Sequence, residues 1–290
     1  MEKIERVLTE YKKINLEQAT SEINRILAEN FEKNNTKEVY KTILSCIDLT
    51  SLNTNDTEEQ IAQLTMKVNS LEDNFLEIPN VAAICVYPSM VKTVKDLLTE
   101  DVEVATVTGG FPHAQTFIEV KIAETALSIL EGATEIDIVI SVGKLLEKKY
   151  DEIIDELVEI KATCKDSKLK VILESGSLDI ETVQIASILS LESGVDFIKT
   201  STGKQQPGAT HIGAYIMCQT IKEFYEKRGI KVGFKAAGGI SSLKEALEYY
   251  CIAEAVLGAD WLNKSLLRFG TSKLGNQILS ELTGKEVRYF

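Results

Sequence analysis

The sequence predicts an α/β fold, a TIM (β/α)8 barrel with an N-terminal helical extension, and three observations lead to it. From residue 45 onward, short β-branched runs alternate with helical patterns, with no long polar linker between units. Eight such units can be counted, and eight in about 250 residues is the count of a barrel, whereas a doubly wound sheet usually has five or six strands. Helix ends are also punctuated. Ser242 with Glu245 makes a capping box, and Gly132, Gly194 and Gly229 sit where a helix must stop and a strand begin.

Residues 1–44 precede the barrel. Ile4, Val7, Leu8 and Tyr11 are spaced for one helix, and Ile23, Ile26, Leu27 and Phe31 for a second. This extension is expected to pack against the barrel or a neighbouring subunit, with the Asn-rich stretch 29–37 as a loop. The predicted strands are 45–49, 81–86, 103–107, 135–140, 168–173, 195–199, 231–235 and 254–257. Helical faces follow them, such as Ile61, Leu64, Val68 and Leu71, or Leu243, Ala246, Leu247 and Tyr250. The barrel is expected over 45–283, and 284–290, after a helix that Gly284 can end, as a mobile tail.

Composition excludes several classes. Of the 290 residues, 44% are hydrophobic and 26% charged, as in an ordinary globular protein. Net charge −12 repels polyanions and anionic bilayers, so neither nucleic acid nor membrane is an expected partner. The longest stretch without Asp, Glu, Lys or Arg, 205–221, contains Pro207 and Gly208 and cannot span a bilayer. The N-terminus carries Glu2, Glu5 and Glu10 and has no signal-like apolar block, so a cytoplasmic location is expected. Five scattered cysteines, never in a CxxC pair, read as reduced thiols.

In such barrels the active site lies at the C-terminal ends of the strands. Polar residues there are Asp48, Cys85, Thr106, Thr108, Asp137, Glu174, Lys199 and Lys235. The two lysines at neighbouring strand ends, facing Asp137 across the barrel mouth, are the sharpest feature. A lysine nucleophile must be neutral, and burial with a second cation beside it lowers its pKa. The pair therefore suits Schiff-base chemistry, with one lysine condensing with a carbonyl, the other keeping it deprotonated, and Asp137 moving protons. Cys85, within an apolar run, reads as a buried thiol by default.

Gly203 with Lys204, Gly238 with Gly239, and Gly270, Thr271 and Ser272 follow the last three predicted strands. Gly-rich loops at this end of the fold let backbone amides approach a phosphate closely, which favours a small phosphorylated ligand. Only two histidines are present, His113 and His211, in no metal-binding spacing, so no metal is expected.

These residues resemble the deoxyribose-phosphate aldolase family, class I aldolases of TIM-barrel fold. The resemblance covers roughly residues 45–275. It rests on Ile47-Asp48-Leu49-Thr50, VAAICVYP at 81–88, Ala105-Thr106-Val107-Thr108, Glu135-Ile136-Asp137-Ile138-Val139, FIKTSTGK at 197–204, Gly233-Phe234-Lys235 and Gly258-Ala259-Asp260-Trp261. It implies reversible cleavage of 2-deoxy-D-ribose 5-phosphate to acetaldehyde and D-glyceraldehyde 3-phosphate, without cofactor. By position it implies Lys199 as the Schiff-base lysine, Lys235 as the lysine that lowers its pKa and Asp137 as the proton relay. Gly203, Lys204, Gly238, Gly239 and Ser272 match positions around phosphate, and Asp48 and Thr202 match residues lining the site. Tyr289, penultimate here, matches a tail tyrosine that assists proton transfer, and a homodimer is the expected assembly. Ala236 departs from a frequent proline, and Lys273 from an occasional serine. Two alternatives remain, another Schiff-base barrel aldolase (transaldolase-like or acting on keto acids) and a non-catalytic barrel that senses a ligand.

Overall fold

In the computed structural model, which describes residues 2–290, eight parallel strands close on themselves in sequence order. They are β1 (Ile47–Thr50), β2 (Ala83–Val86), β3 (Glu103–Val107), β4 (Glu135–Val139), β5 (Lys168–Ile172), β6 (Phe197–Lys199), β7 (Gly233–Ala237) and β8 (Leu267–Thr271). Pairing of Ile47 with Phe269 and of Asp48 with Gly270 closes the ring. The helices between strands cover its outside, and the main apolar core lies between the strands and these helices. No helix among the described residues is long and apolar enough to cross a membrane.

The eighth strand corrects the sequence reading. Residues 254–257 are the end of the helix Leu243–Leu257, and the strand itself begins at Leu267. A segment as short as Glu-Ala-Val-Leu is equally compatible with helix and strand, and the helix launched by the capping box of Ser242 and Glu245 continues through it. The true strand was hidden by Arg268 and Gly270, which break an apolar pattern. Gly270 and Thr271 therefore lie within β8 rather than after it.

The N-terminal extension forms three helices, Glu2–Thr9, Leu16–Asn34 and Lys37–Ser45. The stretch expected as a loop is helical as far as Asn34, and Thr36 caps the next helix by accepting from Val39 N. The second helix packs on the helices His211–Arg228 and Leu243–Leu257. Tyr11 donates to Glu192 at 2.9 Å, and Arg228 pairs with both Glu10 and Glu192. The extension thus gives these outer helices a second layer.

The segment 284–290 packs on the barrel's flank. Asn276 Oδ1 accepts from the amides of Tyr289 (2.8 Å) and Phe290 (2.9 Å). The Tyr289 hydroxyl donates to the Lys67 carbonyl at 2.8 Å, and its ring meets Phe75 edge-on.

Alternation along each strand sends every second side chain into the barrel. On the β2–β3 side these are small and apolar, Ala83, Cys85, Ala105 and Val107. On each of the other strands at least one of them is charged. Arg268, 1% exposed, bridges Asp48 Oδ1 (2.6 Å) and Glu135 Oε1 (2.7 Å). Arg268→Met removes the guanidinium hydrogen bonds to Asp48 and Glu135 and leaves buried carboxylate oxygens unpaired, so it is expected to destabilise the protein by about 3–5 kcal/mol. Urea unfolding measures this, and a loss below about 1 kcal/mol, the range of an exposed pair, would contradict it.

Candidate active site

Lys199 is the last residue of β6, and its register partner on β7 is Lys235. Both side chains reach inward to one oxygen of Asp137 on β4. Lys199 Nζ donates to Asp137 Oδ2 at 2.8 Å and Lys235 Nζ to the same atom at 2.7 Å. Lys235 also donates to Asp48 on β1. The other Asp137 oxygen accepts from Lys170 Nζ on β5 at 2.8 Å, and Lys170 in turn pairs with Glu135 at 2.7 Å.

The two lysines facing Asp137 are electrostatically unlike. For Lys199, burial is the largest effect and lowers the pKa, the Asp137 carboxylate raises it, the Lys235 ammonium lowers it, and the balance is downward. For Lys235, burial also lowers, but Asp137 and Asp48 together outweigh it and the balance is upward. Lys170 is raised in the same way, since Asp137, Glu135 and Asp48 outweigh its burial. Burial opposes ionisation of Asp137, but Lys170, Lys199 and Lys235 hold it well below the usual carboxylate range. Lys199, 4% exposed, is thus the amine most easily neutralised.

Above Lys199 the mouth opens into a cavity of about 310 Å³. Thr202, Gly203, Lys204, Gly238, Gly239, Gly270 and Ser272 all line it with Lys199, and Lys273 joins them. The glycines follow from crowding. Gly238 has φ +92°, and a Cβ there would sit 2.9 Å from Ser201 Cβ; one on Gly208 would sit 2.4 Å from the Gly238 carbonyl oxygen. Lys204 Nζ donates to the Leu52 carbonyl, tying the loop after β6 to the loop after β1. Glu174, in the left-handed region at φ +54°, accepts from Thr202 N at 3.1 Å and Thr202 Oγ1 at 2.6 Å. The Lys204 amide in turn donates to Thr202 Oγ1 at 3.0 Å.

Most of the residues singled out in the sequence converge here. Asp48 lies one layer below the mouth, as a partner of Lys235 and Arg268 rather than in the cavity lining. Cys85 is fully buried in the small apolar wall of the barrel, where desolvation raises its thiol. Tyr289 is not brought to the site, being held at Lys67, Asn74 and Phe75. Sequence reasoning missed Lys170, Glu135 and Arg268. A signal existed for two of them, because charged residues inside parallel strands, which are normally apolar on both faces, need partners within the barrel.

A cavity at the strand ends, with a buried amine of lowered pKa at its floor, is the arrangement of a lysine-dependent lyase. The profile of the DeoC/LacD family aldolases matches residues 42–268. The chain belongs to this aldolase family. It is 38% identical over 259 residues to the deoxyribose-phosphate aldolase of Homo sapiens, covering 84% of this chain and 81% of that one. It is 37% identical over 262 residues to the Bos taurus deoxyribose-phosphate aldolase, covering 85% and 82%. Among solved structures, the aldolase QR15 superposes with a TM-score of 0.66 at 28% identity, over 83% of this chain and 96% of that one.

As an aldolase, the enzyme is expected to depend on the Lys235 charge. Lys235→Met removes an ammonium that depresses the Lys199 pKa and frees Asp137 from a competing donor, and both changes raise that pKa. Turnover at neutral pH is expected to fall by about 100-fold or more, with the remaining activity climbing at alkaline pH. A pH–rate profile checks this, and wild-type turnover at neutral pH would refute the electrostatic account.

Proposed function

We propose that the enzyme reversibly cleaves 2-deoxy-D-ribose 5-phosphate to acetaldehyde and D-glyceraldehyde 3-phosphate through a Schiff base on Lys199. The observation that carries the reading is the pairing of a buried, pKa-lowered Lys199 with Asp137, directly beneath a Gly-lined cavity that also holds Lys204. The names of the human and bovine relatives support the same substrate.

In this mechanism the neutral Lys199 amine attacks the open-chain aldehyde carbon, and loss of water leaves an iminium. The C2–C3 bond then breaks, its electron pair moving into the iminium as an enamine, while the C3 hydroxyl loses its proton and becomes the aldehyde of glyceraldehyde 3-phosphate. Asp137, acting through water, takes up that proton and helps return one to the enamine carbon, after which hydrolysis releases acetaldehyde and restores Lys199. Lys170 and Lys235 keep Asp137 ionised and fixed, so it is ready to receive a proton without reorganising. The loops of Thr202–Lys204 and Gly238–Gly239, with Ser272, hold the phosphate, and that anchoring places the scissile bond over Lys199.

The finer parts of the reading belong to the same proposal. They are a homodimer, a cytoplasmic location and a place in deoxyribose-phosphate catabolism. A role for Tyr289 in enamine protonation requires the tail to leave its seat on Lys67 and Asn74.

Borohydride reduction in the presence of acetaldehyde is expected to fix a two-carbon adduct on Lys199, located by peptide mass mapping. An adduct found mainly on Lys235 or Lys204 would reverse the assigned roles. Lys204→Ala and Ser272→Ala are each expected to cut kcat/KM for deoxyribose 5-phosphate by about 10-fold or more while changing that for unphosphorylated deoxyribose far less. Equal losses on the two substrates would remove these residues from phosphate binding.

A further inference from the structure

Two loops from distant strands meet over the barrel mouth. Gln205, on the loop after β6, places its Nε2 3.4 Å from Nδ1 of His113, on the loop after β3, and both side chains are exposed. These strands stand three apart in the ring of eight, so the contact crosses above β4 and β5. The loops that follow β4 and β5 lie against the same pair. A Cβ on Gly143 would stand 3.6 Å from Gln115 Nε2, and one on Gly176 would overlap the Pro207 carbonyl oxygen.

The loop after β3 is fixed at its base and exposed at its tip. Thr108 is bonded to Thr125 at 2.8 Å and the Gly110 amide donates to Glu124 at 3.1 Å, so the helix Ile118–Leu130 holds the first residues of the loop. Gly110, at φ +74°, then turns the chain, and its carbonyl accepts from the amides of His113 and Ala114. That turn seats Phe111 and Ala114 on Val139 and Ile172 at the ends of β4 and β5. Phe111 also meets Tyr87 edge-on at 6.4 Å and packs on the apolar wall of β2 and β3. The loop thus roofs the ends of β2 to β5, while the cavity above Lys199 opens over the ends of β6, β7, β8 and β1.

We propose that His113 and Gln205 are positioning residues that transmit occupancy of the cavity by phosphate to the roof loop 109–116. The inference rests on the phosphorylated substrate proposed above. Gln205 directly follows Lys204, whose Nζ donates to the neutral Leu52 carbonyl. A phosphate in the cavity offers that ammonium a charged acceptor, and such a bond is roughly twice as strong as one between neutral groups. Turning Lys204 toward the phosphate shifts the backbone at Gln205, and the contact with His113 passes the shift to the tip of the roof. Because the base of that loop is held by Glu124 and Thr125, the tip is the part that responds, drawing Phe111 onto the strand ends and excluding water from the Schiff base. Binding energy at the phosphate then appears in turnover rather than in affinity alone.

Steady-state kinetics on two substrates test this. Gln205→Ala and His113→Ala are each expected to lower kcat for deoxyribose 5-phosphate by about 10-fold, with little change in KM and with kcat for unphosphorylated deoxyribose kept. Both side chains are exposed, so each variant is expected to keep the thermal unfolding of the wild type. Inorganic phosphite, added as a separate anion, is expected to accelerate deoxyribose cleavage by the wild type and to leave Gln205→Ala unaffected. Equal losses on the two substrates, a raised KM with kcat unchanged, or phosphite that fails to distinguish wild type from variant overturns the coupling while leaving the substrate reading in place. A wild type that cleaves deoxyribose 5-phosphate no better than deoxyribose overturns the substrate reading and the coupling with it.

Discussion

An imbalance of buried charge inside the barrel governs this enzyme. Three carboxylates, Asp48, Glu135 and Asp137, face four cationic side chains, Lys170, Lys199, Lys235 and Arg268, and all are buried. Each buried ion costs several kcal/mol unless paired and hydrogen-bonded. Arg268 shares Asp48 and Glu135, Lys170 has Glu135 and Asp137, and Lys235 has Asp137 and Asp48. Lys199 has only Asp137, which two other lysines already engage. The excess positive charge is therefore shed at least cost by removing a proton from Lys199. The lowered pKa of Lys199 follows from this count of charges as well as from burial.

Barrel closure makes that imbalance possible. The charged residues come from β1, β4, β5, β6, β7 and β8, and only the pairing of β1 with β8 brings Arg268 and Asp48 to the same layer as Glu135. The remaining two strands contribute small apolar side chains, so the ionic layer has a dry wall on one side. Low polarity there strengthens each ion pair and leaves little solvent to stabilise an ammonium on Lys199. The loops above are held by separate contacts, Glu174 on Thr202 and Lys204 on Leu52, distinct from the ion pairs around Lys199.

The surface adds selection at longer range. A chain of net charge −12 disfavours polyanions, while Lys204 and Lys273 beside one cavity make its mouth locally cationic. Small anions gain from that local field, whereas an extended polyanion would also meet the acidic surface around it.

Strand count, helix periodicity and the trio Lys199, Lys235 and Asp137 were legible in the sequence, because alternation and strand-end position are local properties of the chain. The Gly-flanked loops at the barrel mouth were legible for the same reason, since a glycine marks where the backbone turns or is approached closely. Other features belonged to the tertiary structure. The eighth strand was misread because Arg268 looks unfit for a barrel interior until Asp48 and Glu135, more than a hundred residues away, are seen to neutralise it. Lys170 was passed over as one lysine among many, and its role appears only where Asp137 and Glu135 receive it. The seat of Tyr289 depends on Asn276, Lys67 and Asn74, which no local pattern connects. By itself the sequence determined the alternation that carries Lys199, Lys235 and Asp137 into the barrel. The closed structure decided which of them meet, because electrostatic pairing acts through space and the value of a buried charge depends on neighbours distant in the chain.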